Sequence, residues 1–210
     1  GYKLKAGLAD NGNANVQPGD IKYRDLNGDG TINASDNTVI GNSLPLHIGG
    51  FANNFSYKQF DLNVFFQWSY GNDAQNVNRF VFDGNGLNKT YLQQFASYND
   101  RWSLENQDSK NFRANGIPSG AAYSSRTVED ASFLRLKTVS FGYNLPKTLL
   151  QKVNVSSLRV FVSGQNLYTW TKYSGLDPEV STYNTVLTGG FDYSAYPGAR
   201  TIALGLNLTL

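Results

Sequence analysis

The sequence contains no cysteine, no methionine and a single histidine, His47. Without cysteine the chain can form neither a disulfide scaffold nor a cysteine-based zinc site. One histidine is too few for a histidine-rich metal centre and argues against a serine–histidine–aspartate triad. The formal net charge of +2 is too small to indicate a nucleic-acid partner. The composition therefore argues against a zinc protein of these kinds, a hydrolase with such a triad and a nucleic-acid-binding protein.

Long apolar runs are also missing, since no stretch approaches the roughly 18 residues of a transmembrane helix. Residue 1 is not methionine and no signal peptide is visible, so we expect that an upstream segment has been removed or lies outside this sequence. The abundant residues are of a different kind: 13 tyrosines, 13 phenylalanines and 21 glycines. This composition predicts β-structure with long polar loops.

Residues 201–210 show the clearest strand pattern, because apolar side chains alternate with small or polar ones up to the last residue. The apolar positions are Ile202, Leu204, Leu206, Leu208 and Leu210. A period of two suits a strand and cannot suit a helix. One face of this strand therefore needs an apolar environment, which either a sandwich core or a membrane can supply.

Four further stretches have strand patterns. Residues 47–57 and 60–70 are separated only by residues 58–59 and predict a β-hairpin. Residues 129–144 predict another strand, with a bulge near Lys137 and Thr138 where the apolar positions change parity. Residues 157–172 predict the last of the four. The chain is thus expected to be all-β, with about five antiparallel strands.

The connections between these strands alternate between short and long. Short turns are predicted at residues 58–59 and 145–157, and long loops at 71–131 and 171–199, with possible helices at 74–82 and 90–102. This alternation is typical of outer-membrane barrels, which have short periplasmic turns and long outer loops. Aromatic residues before the long loops predict a girdle at the outer interface; they are Trp68, Tyr70, Tyr168, Trp170 and Tyr173. Five strands cannot close a barrel, so the chain would be a segment of one.

Residues 25–36 fit the twelve-residue calcium loop of an EF-hand. The ligands would be Asp25, Asn27, Asp29, Thr31 (through its carbonyl), Asn33 and Asp36, with Gly30 at the sharp turn. The last ligand is aspartate, as in dockerin-type loops. Pro18 and Gly41 exclude regular flanking helices, so a bound ion would have a structural role. The alternative is a metal-free polar turn held by Asx hydrogen bonds.

These patterns leave two functional classes open. One is a segment of an outer-membrane barrel, and the other is a secreted β-sandwich binding module with a dockerin-like calcium loop. The direction of the apolar faces separates them. In a sandwich they face each other across a core about 10 Å thick, whereas in a barrel they face outward and the polar residues face inward.

Several stretches carry a resemblance to a known family. They are residues 18–33 (PGDIKYRDLNGDGTIN), 55–67 (FSYKQFDLNVFFQ), 101–106 (RWSLEN), 128–146 (VEDASFLRLKTVSFGYNLP) and 158–173 (LRVFVSGQNLYTWTKY). In this order they resemble the C-terminal part of SusC/RagA-type TonB-dependent outer-membrane transporters, along almost the whole chain. The sequence departs from the family at Leu210, where phenylalanine is usual, and at Gln59, where glycine is usual.

The resemblance implies that residues 47–210 are the C-terminal strands of a 22-stranded transmembrane β-barrel, and that residues 1–46 form an extracellular loop. It implies a transporter and not an enzyme, with TonB-driven import of large nutrients, oligosaccharides or peptides, across the outer membrane of a Gram-negative bacterium. The implied partners are a SusD-like surface lipoprotein, TonB through an N-terminal part absent from this sequence, outer-membrane lipid and the barrel-assembly machinery. The loops at 71–131 and 171–199 would then be extracellular, and the turns at 58–59 and 145–157 periplasmic.

Overall fold

The computed structural model describes residues 17–83, 91–114, 116, 124–151, 155–179, 181–182 and 189–209. The chain divides into two compact units. The sheet unit comprises Ser43–Asp73, Asp130–Val180 and Tyr196–Leu210, and the loop unit comprises Gly1–Asn42, Ala74–Glu129 and Ser181–Ala195. Among the described residues, no helix has the length and apolar character needed to cross a membrane.

The strands are β1 (His47–Tyr57), β2 (Phe60–Tyr70), β3 (Asp73–Asn76), β4 (Val128–Asp130), β5 (Phe133–Asn144), β6 (Ser157–Thr171), β7 (Phe191–Asp192) and β8 (Thr201–Thr209). Two short helices, α1 (Val77–Phe82) and α2 (Lys147–Leu150), lie between them. The main sheet is antiparallel throughout, with the strand order β1-β2-β5-β6-β8. Neighbours in this sheet follow one another along the chain, apart from the short strands, as expected for a barrel wall built from hairpins.

The five long strands of the main sheet confirm the strands predicted from the sequence. β1 and β2 have the predicted bounds, and Lys58 in the turn between them has a φ of 53°. β6 and β8 end at Thr171 and Thr209, and Leu210 lies outside the described residues. The strand predicted at 129–144 is divided into β4 and β5, which are separated by Ala131 and Ser132. Alternation along each strand was therefore a reliable guide to the long elements.

The predicted bulge in β5 is confirmed at Lys137. The pairing of β5 with both neighbours shifts between Leu136 and Thr138, so Lys137 is the extra residue. An extra residue reverses the alternation of side chains. The bulge therefore brings the apolar residues on its two sides onto one face: Leu134, Leu136, Val139, Phe141 and Tyr143. β6 is irregular at the same level, where Asn166 adopts a φ of 51°, a value that asparagine tolerates better than most residues.

Most apolar side chains of the main sheet share one surface, here called the apolar face. One complete row across the five strands is Phe55, Leu62, Phe141, Val162 and Leu204. Leu204 is 84% exposed and Phe55 is 57% exposed, although both are large apolar side chains. A sandwich would bury these side chains against a second sheet. Their exposure is what a lipid-facing surface requires.

The opposite surface, here called the polar face, carries charged and amide side chains. They include Asp61, Asn63, Gln67, Arg135 and Arg159. Phe65 and Phe161 also lie on this face, and each ring covers a glycine of the adjacent strand, Gly50 and Gly205 respectively. A side chain on either glycine would collide with the ring above it. Phe65 is therefore an apolar residue at a polar-face position of β2 because its ring fills the space above Gly50.

The remaining strands form a small sheet with the order β4-β3-β7, which the sequence did not predict. β3 and β7 run parallel and pair through Gln75 with Phe191 and Asn76 with Asp192. Because residues 74–76 belong to β3, α1 begins only at Val77. The helix expected at 90–102 is limited to a 3-10 helix, Ala96–Asp100, and residue 90 lies outside the described part of the chain. Among the described residues of the loop unit, the buried apolar ones are Ala74, Phe80, Val81 and Phe112.

Candidate functional site

Aromatic side chains gather at the end of the main sheet where β2 and β6 finish, here called the aromatic end. Tyr168 and Trp170 contact each other with ring centroids 4.7 Å apart. Tyr70 stacks on His47 at 5.1 Å, and the Trp68 indole N–H donates to His47 Nδ1 at 3.1 Å. Tyr70, Tyr168 and Trp170 are each about half exposed. Four of the five residues predicted for the girdle thus lie on the apolar face at one end of the sheet.

Tyr173 does not belong to this exposed row, which corrects the girdle expected from the sequence. It lies beyond the last residue of β6 and is only 6% exposed. Its ring packs against Gly175 in the segment that follows β6. Tyr173 has an odd residue number, whereas Tyr168 and Trp170 have even ones. Because side chains alternate along a strand, an odd position following β6 does not share their face. Tyr173 is therefore buried beside the segment after β6 and is not part of the exposed aromatic row.

The apolar side chains of β8 are all largely exposed. Their exposed fractions are 71% for Ile202, 84% for Leu204, 69% for Leu206 and 56% for Leu208. Leu210, the fifth apolar position predicted for this strand, lies outside the described residues. β8 is an edge strand of the sheet, paired only with β6. The strand thus presents both an apolar face and an open backbone edge.

The polar face contains an ion pair near the hairpin turn of β1 and β2. Arg159 Nε donates to Asp61 Oδ1 at 3.0 Å and Nη2 donates to Oδ2 at 2.5 Å, a two-pronged contact between β6 and β2. Asn144 of β5 donates to the same carboxylate at 3.3 Å. The guanidinium lies over Gly142, where a Cβ would come within 2.6 Å of Arg159 Nε. The glycine makes room for this pair to span three strands.

A second charged group, here called the Arg135 cluster, lies on the polar face near the aromatic end. Arg135 donates through Nε to Thr169 (3.0 Å), through Nη1 to Glu179 (2.8 Å) and through Nη2 to Asp177. Gln67 donates to the other oxygen of Glu179 at 3.1 Å. The cluster joins β2, β5 and β6 to the segment after β6. In the sequence, the one available signal of this cluster is an arginine between two apolar residues of a strand, Leu134 and Leu136.

The residues of the predicted calcium loop hold their own backbone. Asp25 accepts the N–H groups of Gly28 (2.6 Å) and Gly30 (2.8 Å), and Asp36 accepts those of Leu26 (2.8 Å) and Asn33 (2.9 Å). The N–H groups of Asn33 and Leu26 hold the pKa of Asp36 below its usual range.

Three further hydrogen bonds follow the same pattern within the loop. Asn27, Asp29 and Asn33 each accept the N–H two residues on, at 2.8–2.9 Å. All of these contacts are the ones expected of the Asx turn. Over the described part of the chain, no three histidine, cysteine, aspartate or glutamate residues are grouped as a metal site. Calcium therefore stays a prediction.

Comparison with known proteins gives this geometry a family. No family model matches the chain. It is 38% identical over 200 residues to a TonB-dependent receptor of Formosa agariphila, covering 91% of the chain and 19% of the receptor. It is 31% identical over 197 residues to the TonB-dependent receptor SusC of Bacteroides thetaiotaomicron, covering 92% of the chain and 18% of that receptor. The chain belongs to the SusC/RagA family of TonB-dependent transporters.

A solved SusC/RagA structure agrees with this assignment. The RagAB peptide importer in its closed-closed state superposes with a TM-score of 0.68 and 27% sequence identity, over 81% of this chain and 18% of that chain. The chain thus spans about a fifth of the length of these SusC/RagA relatives. Its antiparallel sheet corresponds to a segment of the RagA-like barrel, and the expected 22 strands are consistent with the family. These relatives are receptors and transporters, not enzymes.

Proposed function

We propose that this segment forms part of the wall of an outer-membrane barrel that imports nutrients. The observation that carries the proposal is the continuous exposed apolar face opposite a polar face that contains a buried ion pair. In a transmembrane barrel the first surface meets lipid and the second borders the lumen. The segment itself performs no chemistry, since its contribution is a wall with two different surfaces.

The partners follow from the family. TonB supplies energy through a part of the protein outside this segment, a SusD-like lipoprotein works at the cell surface, and the barrel-assembly machinery inserts the strands. The cargo is a large nutrient, either an oligosaccharide or a peptide. The names of the relatives support this range, since one is SusC and another belongs to a peptide importer.

Residues 1–46, 71–131 and 171–199 lie outside the cell, and turns 58–59 and 145–157 lie in the periplasm. Trp68, Tyr70, Tyr168 and Trp170 then mark the outer interface.

Residues 25–36 bind a structural calcium ion in this proposal. The support is the donor set, since Asp25, Asn27, Asp29, Thr31, Asn33 and Asp36 offer only oxygen ligands at the spacing of a calcium loop. In the full-length protein, calcium should slow hydrogen exchange of residues 25–36, and a chelator should reverse the effect. Asp25→Ala should abolish the calcium response, while Asp73→Ala, a carboxylate outside the loop, should preserve it. No response of the wild-type loop would leave the metal-free turn as the explanation.

The lipid-facing surface is tested with two neighbouring residues of β8. Leu204 lies on the apolar face opposite Val162, and Ala203 lies on the polar face opposite Ser163. Leu204→Arg should reduce the free energy of unfolding of the full-length protein in lipid vesicles by about 2–4 kcal/mol, because the charge faces hydrocarbon. Ala203→Arg should change it by about 0.5 kcal/mol or less. Denaturant titration measures both values, and similar losses would contradict the assignment of the two faces.

A further inference from the structure

A cavity of about 420 Å³ opens on the polar face of the sheet unit, near the aromatic end. It is lined by Arg135, Asn166 and Thr169 of the main sheet and by Pro178, Pro197 and Arg200 of the segments outside the strands. Ligand sites for small molecules have volumes of about 300–1,000 Å³. This cavity is therefore large enough for one or two residues of an oligomer and too small for a long chain.

Two of the charged residues that line the cavity, Arg135 and Asp177, are buried and paired with each other. Arg135 contacts Asp177 and Glu179, and Asp177 also accepts the N–H groups of Glu179 (3.0 Å) and Gly198 (3.3 Å). Together with the hydrogen bond to Thr169, these contacts engage all three guanidinium nitrogens of Arg135, and its charge faces two carboxylates. The Arg135 cluster is therefore a framework that fixes the shape of the cavity.

Two polar groups at the cavity remain available. Arg200 is exposed, and within the described residues no hydrogen bond or ion pair engages its guanidinium. Asn166 donates to the carbonyl of Ala199 at 2.9 Å, but its Oδ1 is buried and accepts no hydrogen bond from the described residues. A buried acceptor without a donor is costly. A ligand that offers both an anion and a donor would satisfy Arg200 and Asn166 together.

We propose that this cavity binds the carboxylate-bearing terminal residue of the imported oligomer, with the carboxylate on Arg200 and an adjacent N–H or O–H on Asn166 Oδ1. Pro178 and Pro197 supply an apolar wall for the rest of that residue. The proposal rests on the proposed function, since it requires the polar face to border the transport path. A peptide C-terminus and a uronic acid share this chemistry, and the experiment below separates them.

The test uses the full-length transporter that contains this segment, purified in detergent, and isothermal titration calorimetry. Two pairs of probes are compared, and each pair has one acidic and one neutral member. The first pair is tetra-alanine and tetra-alanine amide, which differ only at the C-terminal carboxylate. The second pair is trigalacturonate and maltotriose, which differ mainly in charge. The acid member of one pair should bind at least about tenfold more tightly than its neutral counterpart. Preference within the first pair identifies a peptide terminus, and preference within the second identifies a uronic acid.

Variants then locate the preference in the cavity. Arg200→Gln should remove it, and Arg200→Lys should retain part of it. Lys147→Gln is the matched control: it also removes one exposed positive charge, but from α2, outside the cavity. It should leave the preference unchanged. Equal binding within both pairs by the wild type, or the same loss in Lys147→Gln as in Arg200→Gln, would overturn the proposal.

Growth experiments keep this proposal separate from import itself. A strain that lacks the transporter should grow more slowly on the peptide or polysaccharide that the wild type takes up. If the deletion slows growth but the purified protein shows no acid preference, only the cavity proposal fails. If the deletion changes growth neither on peptides nor on polysaccharides, the proposed import function is contradicted, and the cavity proposal that rests on it is contradicted as well.

Discussion

At the scale of single residues, substitution of Arg135 tests whether the stability of the protein depends on the buried ion pair of the polar face. The side chains of Arg135 and Asp177 are only 4% and 10% exposed. Arg135→Met would leave the carboxylate of Asp177 without its counter-ion, and removing one partner of a buried pair costs about 3–5 kcal/mol. We expect a decrease of that size in the free energy of unfolding of the full-length protein, measured by denaturant titration in lipid vesicles.

Arg159→Met is the control for this variant. The Arg159 and Asp61 side chains are 26% and 31% exposed, so water can solvate Asp61 after the arginine is lost and the expected decrease is about 1 kcal/mol. The double variant Arg135→Met with Asp177→Asn should recover part of the stability, because no buried charge is then left unpaired. Glu179, the other carboxylate on Arg135, is 41% exposed and can be solvated by water. A smaller effect at Arg135 than at Arg159 would show that the cluster is not held by its buried ion pair.

A pH dependence is expected at Asp36, in the loop of residues 25–36. Its pKa is held below the usual value of 3.8 by the N–H groups of Asn33 and Leu26. A carboxyl with a lowered pKa stabilises the folded loop fully above pH 3.8, and this contribution disappears as the pH falls through the lowered pKa. Hydrogen exchange of the Leu26 and Asn33 amides, corrected for its intrinsic pH dependence, should therefore accelerate below pH 3.8. Asp36→Asn should remove the transition; if it persists, another group is responsible.

At the scale of the strands, the bulge at Lys137 decides which face each half of β5 presents. Deleting Lys137 would restore simple alternation and move Arg135 to the apolar face, with Leu134 and Leu136 on the polar face. A single arginine facing lipid costs about 2–4 kcal/mol, and the Arg135 cluster would be lost as well. We expect the deletion variant to be nearly absent from the outer membrane. The amount of folded protein in membrane fractions, judged by heat-modifiable gel mobility, measures this.

Lys137→Ala is the matched control for the deletion. It removes the same side chain but keeps the extra residue, so the two halves of β5 stay in register with their neighbours. Folded Lys137→Ala protein should reach the outer membrane at close to the wild-type amount. If both variants are lost to the same extent, the lysine side chain matters and the parity of the strand does not.

The strands also show what the sequence can and cannot predict. Long strands were predictable because apolar and polar side chains alternate along much of their length, and even the bulge at Lys137 left a visible change of parity. β7 has only two residues, Phe191 and Asp192, and two residues cannot show a period. The partners of Arg135 were not predictable either, since Asp177 is 42 residues away and Glu179 is 44 residues away. The local pattern of the sequence predicts where strands lie and which residues share a face. Contacts between residues far apart in the sequence depend on how the strands pair in the complete fold.

At the scale of the whole molecule, the main sheet is incomplete by itself. β1 and β8 are its edge strands, and each has a backbone edge without a partner in the sheet. Unpaired backbone groups cost several kcal/mol each in a bilayer, so a membrane sheet must close. We therefore expect both edges to pair with strands outside this segment. The apolar face points to the same conclusion, because its exposure is stable only when lipid surrounds a closed barrel.

The orientation of the barrel can be tested because this segment has no cysteine. Leu104 and Leu149 are 80% and 56% exposed; Leu104 lies in the long loop at 71–131 and Leu149 in the short connection at 145–157. With any cysteines elsewhere in the full-length protein replaced, a membrane-impermeant maleimide should label Leu104→Cys in intact cells. Leu149→Cys should react only after the outer membrane is permeabilised, since the short connections face the periplasm in outer-membrane barrels. The reverse order of labelling would invert the proposed topology and place the loop of residues 25–36 in the periplasm.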